Sequence, residues 1–114
     1  MTALETYNWQ VICERDDLVD GSGVCALVGN EQVALFYLPA EKQQIYALSN
    51  RDPVGKANVL SRGIVGDLGG RLVVASPLYK QHFDMKTGAC LEQEDAAVEV
   101  YKVRFDGDSV LLAL

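Results

Sequence analysis

Very few residues of this chain have the types and spacing to do chemistry. His82 is the only histidine in 114 residues, so no histidine cluster is available to hold zinc or non-haem iron. It stands beside Phe83 just before a predicted turn, no nucleophile elbow of the G-x-S-x-G kind occurs, and His82 reads as a structural or surface residue. The carboxylates of Glu92-Gln93-Glu94-Asp95 lack the glycine and spacing of a calcium loop and read as a solvated loop. Gly66, Gly69 and Gly70 are followed by no Lys-Ser or Lys-Thr pair and open no helix, so they mark a turn and not a phosphate cradle. Cys13, Cys25 and Cys90 are odd in number and form no Cys-x-x-Cys pair. Cys13 and Cys25 lie in apolar runs, which predicts buried, reduced thiols and a reducing compartment. No catalytic, cofactor-binding or metal residue is predicted. Two polar loops remain, Asn50-Arg51-Asp52-Pro53-Val54-Gly55 and Ser76-Pro77-Leu78-Tyr79-Lys80-Gln81-His82-Phe83-Asp84, the second closed by Thr87-Gly88.

The elements that must position these loops are short strands. Runs rich in Val, Ile, Leu, Tyr and Phe occur at residues 9–14, 24–28, 32–38, 44–49, 71–75, 98–105 and 109–114. Turn residues separate them: Gly21-Ser22-Gly23, Gly29-Asn30, Gly69-Gly70 and, as the clearest hairpin turn, Asp106-Gly107. Nearly every side chain of 32–38 is apolar, which predicts a strand covered on both faces. Within 98–105 the apolar parity changes, consistent with either a bulge or a switch of face. Residues 14–18 read as one helical turn, and nothing else has helical periodicity. Tyr7, Trp9, Tyr37, Tyr46 and Tyr101 are expected to serve mainly in packing. The pattern predicts an all-β sandwich or barrel of short antiparallel strands.

Composition narrows the function classes. The length fits a single domain over 1–114, and 49% hydrophobic residues can build a core. A net charge of −6 argues against nucleic-acid binding. No apolar run approaches membrane-spanning length, and Met1 to Thr6 carry no basic segment leading into an apolar stretch, so a cytoplasmic protein with no membrane association is expected.

The order of features resembles the Rieske-type ferredoxin domain over roughly residues 8–114. Ile45-Tyr46-Ala47-Leu48-Ser49-Asn50 leads into the first loop, and Leu60-Ser61-Arg62-Gly63-Ile64-Val65 follows it. Arg71-Leu72-Val73-Val74-Ala75 leads into the second loop, which closes on Phe83-Asp84-Met85-Lys86-Thr87-Gly88 as in that family's Phe-Asp-x-x-Thr-Gly ending. A Rieske site binds a 2Fe–2S cluster through Cys-x-His in one loop and Cys-x-x-His in the other. Asp52 and Val54 stand at the first pair of positions, and Ser76 and Tyr79 at the second. The resemblance therefore implies a Rieske-like [2Fe-2S] ferredoxin-type fold without a cluster. Tyr79 is expected to fill the space an imidazole and cluster would occupy.

Within that group the chain resembles the small subunits of assimilatory NAD(P)H-dependent nitrite reductases, which are known for this cluster-less fold. Asp52 to Gly63 and Ser76 to Gln81 are similar to their versions of the two loops. The resemblance implies a non-catalytic subunit whose partner is a large subunit carrying FAD, a [4Fe-4S] cluster and sirohaem, which reduces nitrite to ammonium. Loops on a rigid β scaffold commonly carry function, so Asp52, Pro53, Lys56, Arg62, Tyr79, Lys80 and Gln81 are the partner-binding candidates. A stand-alone Rieske-type ferredoxin serving an oxygenase is the alternative, and a small-molecule module using the vacated tip is a third reading.

Overall fold

The structure is a computed structural model that describes residues 8–113. Tyr7, Met1 to Thr6 and the predicted strand end at Leu114 lie outside the described residues.

Three sheets carry the architecture. The central sheet has the order β10 (Val100–Tyr101), β4 (Ile45–Ser49), β3 (Glu31–Tyr37), β2 (Ser22–Val28). A second sheet joins β1 (Trp9–Glu14), β12 (Ser109–Ala113) and β11 (Val103–Asp106). The third joins β7 (Ile64–Leu68), β8 (Arg71–Ala75) and β9 (His82–Asp84). Between them, β5 (Arg51–Asp52) and β6 (Ala57–Asn58) make a minimal hairpin inside the first loop. All these strand pairs are antiparallel.

The central sheet is covered on both faces, as the apolar run at 32–38 predicts. Because side chains alternate across a strand, Ala34 and Phe36 face one way with their partners Leu48 and Tyr46, while Val33 and Leu35 face the other way with Ala47. The first set packs with Leu60, Val74, Phe83, Met85, Cys90 and Val98 under the third sheet. The second packs with Ile45, Val110 and Leu112 under the sheet of β1, β11 and β12.

The parity change at 98–105 is a switch of sheets. Tyr101 pairs with Ala47 in the central sheet, and Val103 already pairs with Leu112 in the next. The carbonyl of Lys102, at the corner, accepts the Ala113 N–H at 2.9 Å. The final hairpin turns one residue later than Asp106-Gly107 suggests: Asp106 pairs with Ser109, and Gly107 (φ 61°) and Asp108 make the turn. The helical turn is a 3-10 turn at Arg15–Asp17, preceded by Glu14, whose N–H donates to Asp17 Oδ2 at 2.9 Å.

Sequence reading missed β7 and β9. Gly66 and Asp67 are poor strand formers, yet both pair within the continuous β7, an edge strand whose pairing comes from β8 alone. Cys25 is exposed, against the expectation of a buried thiol, because β2 is the edge of the central sheet. Cys13 is half-buried and Cys90 buried.

Phe83 is fully buried between the central and third sheets, so Phe83→Ala is expected to lower unfolding free energy by about 3–5 kcal/mol in a urea titration. Leu27→Ala, at a side chain 72% exposed on β2, is expected to stay within about 0.5 kcal/mol of the parent.

Candidate functional site: a two-loop tip locked by a buried polar pair

The two loops meet at one end of the molecule, where a buried polar pair joins them. Asp52 is completely buried; its Oδ1 accepts the N–H groups of Val54 at 2.8 Å and Gly55 at 3.0 Å. Its Oδ2 accepts the hydroxyl of Ser76, also buried, across the gap between the loops. Ser76 Oγ in turn accepts the Leu78 N–H at 3.3 Å.

The loops repeat one plan. Each runs polar residue, Pro, aliphatic residue, any residue, Lys: Asp52-Pro53-Val54-Gly55-Lys56 and Ser76-Pro77-Leu78-Tyr79-Lys80. In each, the polar side chain accepts an N–H two residues on, and its carbonyl accepts the lysine N–H, at 2.7 Å for Lys56 and 3.0 Å for Lys80. Both lysines are consequently left-handed, with φ of 58° and 60°. That backbone is uncommon outside glycine, and it turns each chain back out of the tip.

Asn50 anchors the first loop to the scaffold. Only 2% exposed, it accepts the Ser61 N–H at 2.7 Å and donates to Gln32 Oε1 at 3.0 Å. The Phe-Asp-x-x-Thr-Gly ending of the second loop is likewise structural. Asp84 accepts the N–H groups of Lys86 at 2.7 Å and Thr87 at 3.2 Å and pairs with Arg71 at 3.2 Å. Gly88, at φ 81°, lies so close to the Val98 carbonyl that no Cβ fits.

Tyr79 does not fill the vacated space. Its side chain is 67% exposed, and Leu78 instead lies over Gly55, leaving no room there for a Cβ. Val54 packs against the core beneath. A 2Fe–2S cluster does not fit these residues. Val54 has no donor atom, Tyr79 faces out, and Asp52 and Ser76 commit their oxygens to each other and to loop N–H groups. Among the described residues no group of three or more His, Cys, Asp or Glu side chains is arranged to hold a metal ion.

Of the remaining candidates, Lys56, Arg62 and Lys80 are exposed and Pro53 is half-buried. Gln81 is half-buried, and its Oε1 has no hydrogen-bond partner among the described residues. Glu92, read from sequence as part of a solvated loop, accepts the His82 backbone N–H at 2.8 Å and holds the imidazole Nδ1 at 2.6 Å. Partial burial pushes the Glu92 carboxyl up, but the hydrogen bonds from His82 and its charge outweigh that and leave it lowered.

Charge is distributed unevenly in this acidic chain. Residues 50–82 hold five of its ten Lys and Arg but only two of its sixteen Asp and Glu, and one of those two is the buried Asp52. Arg71 pairs with Asp84; Arg51, Lys56, Arg62 and Lys80 are exposed and form no ion pair among the described residues.

Antiparallel sheets around a two-loop tip define a Rieske-type domain, and the Rieske-like [2Fe-2S] domain family matches residues 8–113. The ferredoxin of carbazole 1,9a-dioxygenase from Nocardioides aromaticivorans superimposes with a TM-score of 0.74 at 25% identity, over 92% of this chain and 96% of that one. More similar is the nitrite reductase (NADH) small subunit of Salmonella typhimurium, 50% identical over 96 residues, which are 84% of this chain and 88% of that protein. The solution structure of the Escherichia coli protein NirD matches with a TM-score of 0.83 and 44% identity, over 95% of this chain and 97% of that one. The chain belongs to the nitrite reductase small-subunit family. It is also 40% identical to a stretch of the nitrite reductase NAD(P)H large subunit of Klebsiella oxytoca, over 95% of this chain and 11% of that protein.

Ser76→Ala leaves a buried Asp52 oxygen without its donor and is expected to cost about 1–3 kcal/mol in a urea titration. Asp52→Ala is expected to cost more, since it also strands two N–H groups, and the double variant is expected to be non-additive by about 0.5–3 kcal/mol. A carboxyl lowered by folding contributes stability above its unfolded pKa and loses it as pH falls through the folded value. The urea midpoint of the parent is therefore expected to exceed that of Glu92→Gln at pH 7 and to converge with it as the pH drops below about 4.

Proposed function

We propose that this chain is the non-catalytic small subunit of an assimilatory NAD(P)H nitrite reductase. It is read as one domain over residues 1–114, working in the cytoplasm. Its partner is the large subunit, which carries FAD, a [4Fe-4S] cluster and sirohaem and reduces nitrite to ammonium. The observation that carries this reading is the kinship with nitrite reductase small subunits along most of both chains. The Klebsiella oxytoca match adds to it, because there a related stretch is part of the large-subunit polypeptide itself. Physical separation in one protein and covalent attachment in another both serve a domain that works against that subunit. No helix among the described residues is long and apolar enough to cross a membrane.

The tip is the docking face in this reading. Its rigidity comes from the Asp52–Ser76 pair, and its exposed cations, Lys56, Arg62 and Lys80, together with Tyr79, are presented outward. The stand-alone ferredoxin reading is disfavoured by the same geometry, since the four ligand positions serve packing, loop closure or solvent contact.

The test is co-purification of the tagged chain with the large subunit from cells grown on nitrate. A stoichiometric complex bearing flavin and sirohaem absorption is expected. Lys56→Glu with Lys80→Glu is expected to weaken it about tenfold or more, and increasingly so at low salt. A chain recovered alone and brown with bound iron and sulfide refutes the subunit reading.

A further inference from the structure

Beside the tip lies a groove of about 480 Å³ that the Asp52–Ser76 lock leaves open. Its floor is a single row across the third sheet. Ile64 on β7 pairs in register with Ala75 on β8, which pairs with His82 on β9. The small Ala75 between two larger side chains hollows the middle of that row. Gly63 lines the groove from the side and packs so closely on the Ala75 carbonyl and Val74 that no Cβ fits there. Ser76, Pro77 and Lys80 form one wall and Arg62 the other.

Three properties of this groove point to an occupant. Ile64 is 77% exposed, the most exposed large apolar side chain among the described residues. Arg62 and Lys80 line the groove as exposed cations without ion pairs among the described residues. Finally, β7 is the edge of its sheet, and a strand edge offers backbone N–H and C=O groups to another extended chain.

We propose that the groove receives an extended acidic segment of the nitrite reductase large subunit. One apolar side chain of that segment seats over Ala75 between Ile64 and His82, and flanking carboxylates meet Arg62 and Lys80. The proposal rests on the subunit reading above and names the chemistry by which the partner is held. A floor of Ile64, Ala75 and the His82 ring that Glu92 holds, flanked by Arg62 and Lys80, selects an apolar side chain with acidic neighbours on the Arg62 and Lys80 sides.

The experiment titrates the full-length chain against the isolated large subunit and compares four exposed-site variants. Ile64→Glu is expected to lower affinity about tenfold or more with an unchanged thermal midpoint, because the side chain is already in solvent. Leu27→Glu, nearly as exposed but on β2, is expected to bind like the parent. Benzoylphenylalanine at position 64 is expected to photocross-link to the large subunit, at a peptide carrying Asp or Glu around an apolar residue. If Lys56→Glu weakens the complex while Ile64→Glu does not, the tip reading stands and the groove proposal is overturned. A cross-link to a second copy of this chain, or to a basic peptide, also overturns it. Failure of the parent to bind the large subunit at all refutes the subunit reading itself.

Discussion

A β-strand that must be apolar on both faces constrains everything around it. In this protein that strand is β3, with β4 beside it, and their alternating side chains feed two separate cores. A sheet buried on both sides needs a cover on each, and the chain supplies them from different regions. Residues 64–84 make one cover, and the first strand with the last two makes the other. The corner at Lys102 follows from this demand: the strand run starting at Val100 serves the central sheet for two residues and then leaves to build a cover.

The tip inherits its rigidity from that arrangement. Its loops leave β4 and β8, both anchored in the core, so their bases are fixed before any loop contact forms. What remains is to join two polar loops to each other, and one buried hydrogen bond does it together with Leu78 lying over Gly55. Asp52 is satisfied three times over, by Val54, Gly55 and Ser76, which is the condition under which a buried carboxylate is tolerated. Where Rieske proteins cross-link the two loops through a cluster, this chain cross-links them through a carboxylate and a hydroxyl. The shape of the tip survives, and Asp52 and Ser76 commit their oxygens to keeping it.

That commitment moves the protein's chemistry to its surface. The tip and its flank concentrate cations that find no partner among the described residues, in a chain whose acids lie mostly elsewhere. Such an asymmetry orients an encounter more than it strengthens a contact, which is the role the proposed docking through the tip gives it.

Local sequence by itself determined the strand class and the doubly covered β3, because each is written in the residue types of one short segment, and the resemblance of the two loops to Rieske loops marked the degenerate ligand positions. The apolar run of β8 and the turn residues around each hairpin need no distant contact to be legible. Tertiary structure alone decided what spans the chain. Asp52 and Ser76 are 24 residues apart, and only the pairing of sheets makes them partners. Leu78 lies against Gly55, in the other loop, where no Cβ fits, while Tyr79 is left exposed. Edge strand β7, with Gly66 and Asp67 at its middle, has too little local preference to be seen before β8 supplies its ladder. The groove has no sequence signature at all: Ile64, Ala75 and His82 are brought into one row by register, a property of three strands together.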